Sequence, residues 1–247
     1  MKNNIPECQR AALHYADPAA SGFGWKIFPA RMEGGKKYSY LAAEHAPGGE
    51  NWGMTADLVQ LKKNFDNPRW RLKCGVGIPT GWVNKIIVIE TDTIVGHGVD
   101  GAKALRALEK QHGKLPKTMM AKSPTASVHR YYRHPGEHIR CKSMTIAKGV
   151  DVKADGGMVV APPSVRSDGK YIWMNHEEIA EAPAWLIELI RDHSPNYKGN
   201  GADPFAEGLY ELLTEEEKTA GCIAIRGAGR FDRYPRSTLR SSGCRTR

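Results

Sequence analysis

The chain has 247 residues and a formal charge of +9, enough length for one sizeable core and a balance that favours a polyanionic partner. No apolar run approaches membrane-span length and the N-terminus lacks a signal-peptide core, so a membrane protein is excluded and the cytoplasm is the expected compartment. The five cysteines, Cys8, Cys74, Cys141, Cys222 and Cys244, include no C-x-x-C pair, which excludes a zinc knuckle and a disulfide framework.

In chain order, the pattern predicts a helix over Pro6–Tyr15, a break at Asp17-Pro18 and a strand over Trp25–Pro29. Residues 31–54 are polar and Gly-rich, with Lys36-Lys37 in the middle, and read as a surface loop. Thr55 is the expected N-cap of a helix over Ala56–Phe65. Four consecutive aliphatic residues, Ile86 to Ile89, then read as a strand buried on both faces. That strand runs into Glu90 and Asp92. Residues i and i+2 of a strand point to one side, so both acids leave the sheet on one face, their alpha carbons roughly 6–7 Å apart. Like charges held that close need a cation or hydrogen-bond donors to offset them.

An amphipathic helix follows over Asp100–Lys114, with Ala102, Leu105 and Leu108 at helical spacing. Strands dominate from Thr118 to Met174. Within them, Ser127 and His129 repeat the spacing of two, followed by Tyr131 and Tyr132, residues of high strand propensity. Asp151 lies between two valines, with Lys153 on the same side of the strand, and a turn at Asp155-Gly156-Gly157 leads to a short apolar strand over Met158–Ala161. With Glu90 and Asp92, Asp151 supplies a third carboxylate, the count and type of oxygen ligand expected for Mg²⁺ or Mn²⁺. His45, His134 and His138 show no metal-ligand pattern and read as surface or loop residues.

Pro183 opens a helix that runs to Arg191. The polar stretch from His193 carries Pro195, Gly199 and Gly201, a linker signature. Asp203-Pro204 caps a further helix. The last 22 residues hold seven arginines against one acid, Asp232, and so contribute six of the nine net charges. They have too few apolar residues to fold alone. The expected organisation is a catalytic domain over 1–192, a linker over 193–202, a helix over 203–219 and a basic, disordered tail over 220–247.

The ordered set E-x-D, S-x-H and apolar-Asp resembles the three motifs of the archaeo-eukaryotic primase superfamily. The run Gly149–Trp173, GVDVKADGGMVVAPPSVRSDGKYIW, is similar to the prim-pol domain of plasmid, phage and prophage primase-polymerases. Gly24–Pro29 resembles that domain's first strand, Gly75–Gly81 its Gly-rich strand and turn, and Asp100-Gly101 the turn opening its next helix. The resemblance spans roughly residues 8 to 190. Three departures stand out. Glu90 occupies a position that is usually Asp, Ala126-Ser127 replaces a frequent Gly-Gly pair, and no G-x-x-x-x-G-K-[ST] helicase loop is present.

The resemblance implies a mixed α/β (α+β) fold, with an RRM-like, mostly antiparallel catalytic sheet, flanking helices and an N-terminal α/β unit. It implies template-dependent nucleotidyl transfer, as a DNA primase and DNA polymerase, in phage, plasmid or prophage replication. Glu90, Asp92 and Asp151 would be both the catalytic residues and the ligands of two Mg²⁺ or Mn²⁺ ions. Ser127, His129 and Lys153 would bind the incoming nucleotide, as donors that neutralise phosphate charge without competing for metal. Relatives carry a Gly-Lys pair near Lys36-Lys37, so one of these could reach a triphosphate, against a default of a solvated lysine. The implied partners are a single-stranded DNA template, NTP or dNTP, and a helicase in trans. Two other readings stay open: a catalytically silent nucleic-acid-binding initiation module, and a repair-type polymerase that extends but does not initiate. A rolling-circle nuclease is disfavoured, because its His-h-His pair does not occur.

Overall fold

The structure is a computed structural model, and it describes residues 6–33, 36–41, 51–136, 139 and 144–193. The chain divides into two compact units, Met1–Pro195 and Asn196–Arg247. The expected linker, helix and basic tail beyond residue 193 lie outside the described residues, as do His45 and His138.

The fold is α+β and mostly antiparallel. α1 (Glu7–Ala16) ends at Asp17, whose side chain accepts from Ala19 N and caps the short α2 (Pro18–Ser21). β1 (Phe28–Glu33) pairs with β2 (Lys36–Ser39), Glu33 opposite Lys36. Three expectations are corrected here. The first strand lies three residues later than Trp25–Pro29, because only Ile27 makes an isolated bridge, to Thr55, before ladder pairing begins at Phe28 opposite Gly77. The stretch expected as a loop from residue 31 instead contains the end of one strand and a whole second strand. α3 (Leu58–Phe65) starts later than expected, because its N-cap is Asp57, which accepts from Gln60 N at 2.7 Å. Thr55 supports that cap from outside the helix, accepting from Asp57 N.

β3 (Gly75–Pro79) and β4 (Ile86–Thr91) are buried at every position. A single turn of helix, α4 (Ile94–His97), follows, then α5 (Gly101–His112) with Asp100 as its N-cap. Next come β5 (Met120–Lys122), β6 (Val128–Arg133), β7 (Met144–Ala147), β8 (Val150–Lys153) and β9 (Met158–Ala161). Four two-residue strands complete the set: β10 (Val165–Arg166), β11 (Gly169–Lys170), β12 (Ile172–Trp173) and β13 (Ala180–Glu181). α6 (Ala184–His193) follows them.

Two larger sheets and a two-stranded hairpin, β10 paired with β11, organise these strands. One has the order β2-β1-β3-β9; the other runs β12-β5-β6-β4-β8-β7, with β13 added in parallel to β6. The turn at Asp155 therefore joins strands of different sheets. β9 pairs not with β8 but with β3, Val76 opposite Ala161. Asp155 holds this junction, accepting from Trp82 N at 2.7 Å and from Ile139 N at 2.7 Å. His134 Nε2 lies 3.2 Å from Asp155 Oδ1 with its side chain only 2% exposed. His134 thus lies in the loop after β6, as the surface-or-loop reading allowed, but its side chain is buried.

Because side chains alternate along β4, its two faces serve different cores. Ile87 and Ile89 join Leu105 of α5 and Leu186, Ile187 and Ile190 of α6. Ile86 and Val88 join Tyr131, Val76, Ile78, Val159 and Ala161, which include residues of the other sheet. Glu90 is the next residue in the Ile86–Val88 row, so the row passes from core into polar chemistry at the end of the strand.

Candidate active site

The antiparallel ladders put three chemistry-bearing residues in one line. Glu90 on β4 is the registered partner of His129 on β6 and of Asp151 on β8. Facing residues in adjacent strands stand about 4.5–5.5 Å apart at the beta carbons, so the side chains of all three share one face of the sheet. Spacing alone could place Glu90 beside Asp92; the cross-strand pairing is what adds His129 and Asp151.

Glu90 is the most enclosed of the acids, its side chain 9% exposed, against 13% for Asp92 and 24% for Asp151. Its Oε1 lies 3.2 Å from His129 Nε2, and the His129 ring is fully buried. An ionised carboxylate only accepts, so His129 Nε2 carries the proton. Burial works to raise the Glu90 pKa. The His129 charge and hydrogen bond, then the charges of Lys37 and Lys153, outweigh it and hold the carboxyl far below the usual range. Lys153 Nζ stands 3.8 Å from Glu90 Oε2 and 3.6 Å from Asp151 Oδ2, bridging two of the three acids. Thr145 Oγ1 donates to Asp151 Oδ1 at 2.7 Å.

Asp92 lies just beyond β4 and is positioned through its backbone. Its N–H donates to Gly149 O at 2.8 Å, and its carbonyl accepts from Gly101 N at 2.9 Å. Gly101 is required there, since a beta carbon on it would sit 1.9 Å from Gly149 O. Burial raises the Asp92 pKa, and the neighbouring Glu90 and Asp151 charges add to that, against a smaller opposing effect of His97. Ser127 Oγ donates to Asp92 Oδ1 at 3.4 Å, and His97 Nε2 lies 3.5 Å from the same oxygen. Ala126, immediately before Ser127, has φ +63, so the departure from a Gly-Gly pair puts an alanine in a left-handed conformation that glycine adopts freely.

All six expected site residues therefore lie together around the end of β4. His129 is turned to Glu90 through one nitrogen, while its buried Nδ1 has no hydrogen-bond partner among the described residues. Two further residues join them. Lys37, on β2 of the other sheet, is close enough for its charge to act on Glu90. His97 comes over Asp92 because the α4 turn is braced, Gly96 N donating to Thr93 Oγ1 and Thr93 Oγ1 donating to Thr125 O. The Lys36-Lys37 pair was the only sequence signal for the first, and nothing in the spacing signalled the second.

The chemistry of the donor set suits a hard divalent cation: three carboxylates, two of them partly exposed, with one driven towards the neutral form by burial and by its neighbours. Among the described residues, no group of three His, Cys, Asp or Glu side chains already converges as a metal cage. Glu90 and Asp151 stand side by side, bridged by Lys153, with Asp92 just beyond the end of β4.

No curated protein sequence matches the chain. A protein-family model does, the Prim-Pol family of bifunctional DNA primase/polymerase N-terminal domains, over residues 16–185. That match takes in β1 to β13, every acid of the site, Ser127, His129 and Lys153. The chain belongs to the Prim-Pol family of bifunctional DNA primase/polymerases.

Proposed function

We propose that the chain carries out template-dependent nucleotidyl transfer with two Mg²⁺ or Mn²⁺ ions held by Glu90, Asp92 and Asp151. The observation that carries this reading is the register of Glu90 between His129 and Asp151, with Asp92 crowded beside them. When bound, the two ions would supply a lowered pKa for the primer 3′-hydroxyl and charge stabilisation for the departing pyrophosphate. The protein's part is to hold acids of matched chemistry on one rigid face, so that little reorganisation remains at the moment of reaction.

Lys153, Ser127, His129 and Lys37 supply the opposite charge and the donors that a triphosphate needs. Lys153 neutralises Glu90 and Asp151 until the nucleotide arrives, then exchanges a carboxylate for a phosphate. His129 presents two nitrogens, one engaged by Glu90 and one unpaired, so it can meet a phosphate oxygen while keeping Glu90 ionised. Single-stranded DNA is the proposed template, and a helicase acting in trans the proposed partner for duplex substrates. Among the described residues no helix is long and apolar enough to cross a membrane.

The test is a template assay with labelled ATP or dATP, run with and without a primer, in Mg²⁺ and in Mn²⁺. Metal-dependent products are expected, and products without a primer would assign initiation as well as extension. Template binding with no incorporation under any condition would instead identify a silent initiation module.

A further inference from the structure

The opposite face of the same strands carries a second polar site. Arg130 lies on β6 opposite Ile89, so its side chain leaves the sheet on the α5 and α6 side, away from Glu90 and His129. There it lines a cavity of about 330 Å³ with Lys117, Met120, Tyr132, Glu109 and Glu177. Burial pulls the guanidinium pKa down, the sign of a cation removed from water. Its only hydrogen bond among the described residues is from Nη1 to Thr91 Oγ1 at 3.0 Å, and it makes no ion pair with a described carboxylate. Five N–H donors with one neutral acceptor leave most of the fork unused. A half-buried arginine in that state is costly unless an anion completes it.

The acids on the wall do not supply that anion. Glu109 Oε1 is committed to Leu115 N at 3.1 Å, and its charge, which acts on Arg130, does not outweigh the burial of the guanidinium. Tyr132 Oη is likewise committed, donating to Pro116 O at 3.2 Å. Lys117 adds a second positive charge to the same cavity. A planar fork beside an ammonium suits a tetrahedral oxyanion with several acceptors, and Arg is the residue that pairs with it in bidentate fashion.

From this geometry we infer that the Arg130 cavity is a phosphoryl-binding site, separate from the acid cluster on the other face. It is connected to that cluster through Thr91, which lies between Glu90 and Asp92 in the chain and accepts the Arg130 hydrogen bond. The ligand chemistry has two sources, a free phosphate or pyrophosphate and a phosphate of a DNA strand. The inference does not depend on whether Glu90, Asp92 and Asp151 bind metal.

The test uses the full chain in EDTA, so that metal-dependent binding at the acid cluster does not contribute. The side-chain Nε–Hε NMR resonance of Arg130, identified by its loss in Arg130→Lys, is followed during titration with inorganic phosphate, pyrophosphate and a short thymidine oligonucleotide. Sodium chloride at matched ionic strength is the control. A saturable shift of that resonance with any of the three, and none with chloride, is the expected result. A shift with the free anions assigns a small-molecule site, and one with the oligonucleotide alone assigns a strand-phosphate contact. Arg130→Gln should weaken binding of the active probe by about tenfold or more, the loss expected for one hydrogen bond to a charged group. No shift with any probe, or the same shift with chloride, overturns the inference. If the variants fold poorly, the backbone amides of Thr91, Arg130 and Tyr132, assigned in the wild type, are followed in the same titration with the same expected and contrary results.

Discussion

Glu90 and His129 face each other across β4 and β6, and their side chains meet at 3.2 Å with the imidazole fully buried. A buried carboxylate beside a buried imidazole is stable only as a hydrogen-bonded, charge-compensated unit. The contact keeps Glu90 ionised at depth, while Asp92 and Asp151, nearer the surface, bring further negative charge to the same end of the strand.

His129→Ala should therefore have two effects. Leaving the Glu90 acceptor without its donor costs about 1–3 kcal/mol of stability. Loss of one preorganised donor costs about 2–4 kcal/mol in transition-state terms for nucleotide use. The Glu90 pKa is lowered in the fold, so its stabilisation is present above the ordinary carboxylate range and is lost as pH falls towards the depressed value. Denaturant melts against pH and steady-state kinetics read both effects. Equal loss of template binding and nucleotide use would make His129 a purely structural residue.

Asp92→Asn should melt at or above the wild-type temperature at neutral pH, while activity falls. The folded-state pKa of Asp92 is raised by burial and by Glu90 and Asp151, so its ionisation opposes folding. The advantage of the variant should be complete above that raised value. It should vanish below the unfolded carboxyl pKa of about 3.9, where both side chains are neutral. A destabilised variant at neutral pH would show that Asp92 is not electrostatically crowded.

Gly101→Ala tests how Asp92 is held. Helix propensity favours alanine by about 1 kcal/mol. The new beta carbon would meet Gly149 O at 1.9 Å and Asp92 N at 2.7 Å, and forcing such contacts costs about 1–3 kcal/mol or more. Sterics should win: lower melting temperature and lower nucleotide incorporation together, measured on the same preparation.

Lys37→Ala should raise KM for the nucleotide several-fold with a smaller change in kcat, because the charge it adds lies over the acid cluster from the other sheet. A KM identical to wild type would mark Lys37 as a solvated lysine.

How much of this was legible in sequence depends on how local each cause is. The Ile86–Ile89 run and the acids after it are read correctly because burial and alternation act within a few residues. The helix that opens at Asp100-Gly101 is local too. The strand Lys36–Ser39 is not legible because its four residues, Lys36-Lys37-Tyr38-Ser39, bury little, and its pairing partner decides its conformation. His134 and Asp155 are 21 positions apart, and only the crossing of β9 into the other sheet brings that end of the fold together. Asp57 displaced Thr55 as a cap because both residue types suit the position, and the difference is made by where the first helical turn can pack. The acids, Ser127, His129 and Lys153 were identified from motif order. That Glu90 pairs with His129 and Asp151 is a matter of register, which no single segment carries. Arg130 belongs to no motif, and only the cavity around it sets it apart.

The most direct test of the central reading is nucleotide incorporation on a primed single-stranded template by Asp151→Ala, with Mg²⁺ and with Mn²⁺, alongside circular dichroism of the same protein. Asp151 is the most exposed of the three acids, so its removal should leave the fold intact. A folded protein with incorporation abolished in both metals is the expected result. A folded variant that retains near-full incorporation would contradict the assignment of Glu90, Asp92 and Asp151 as the metal-binding set.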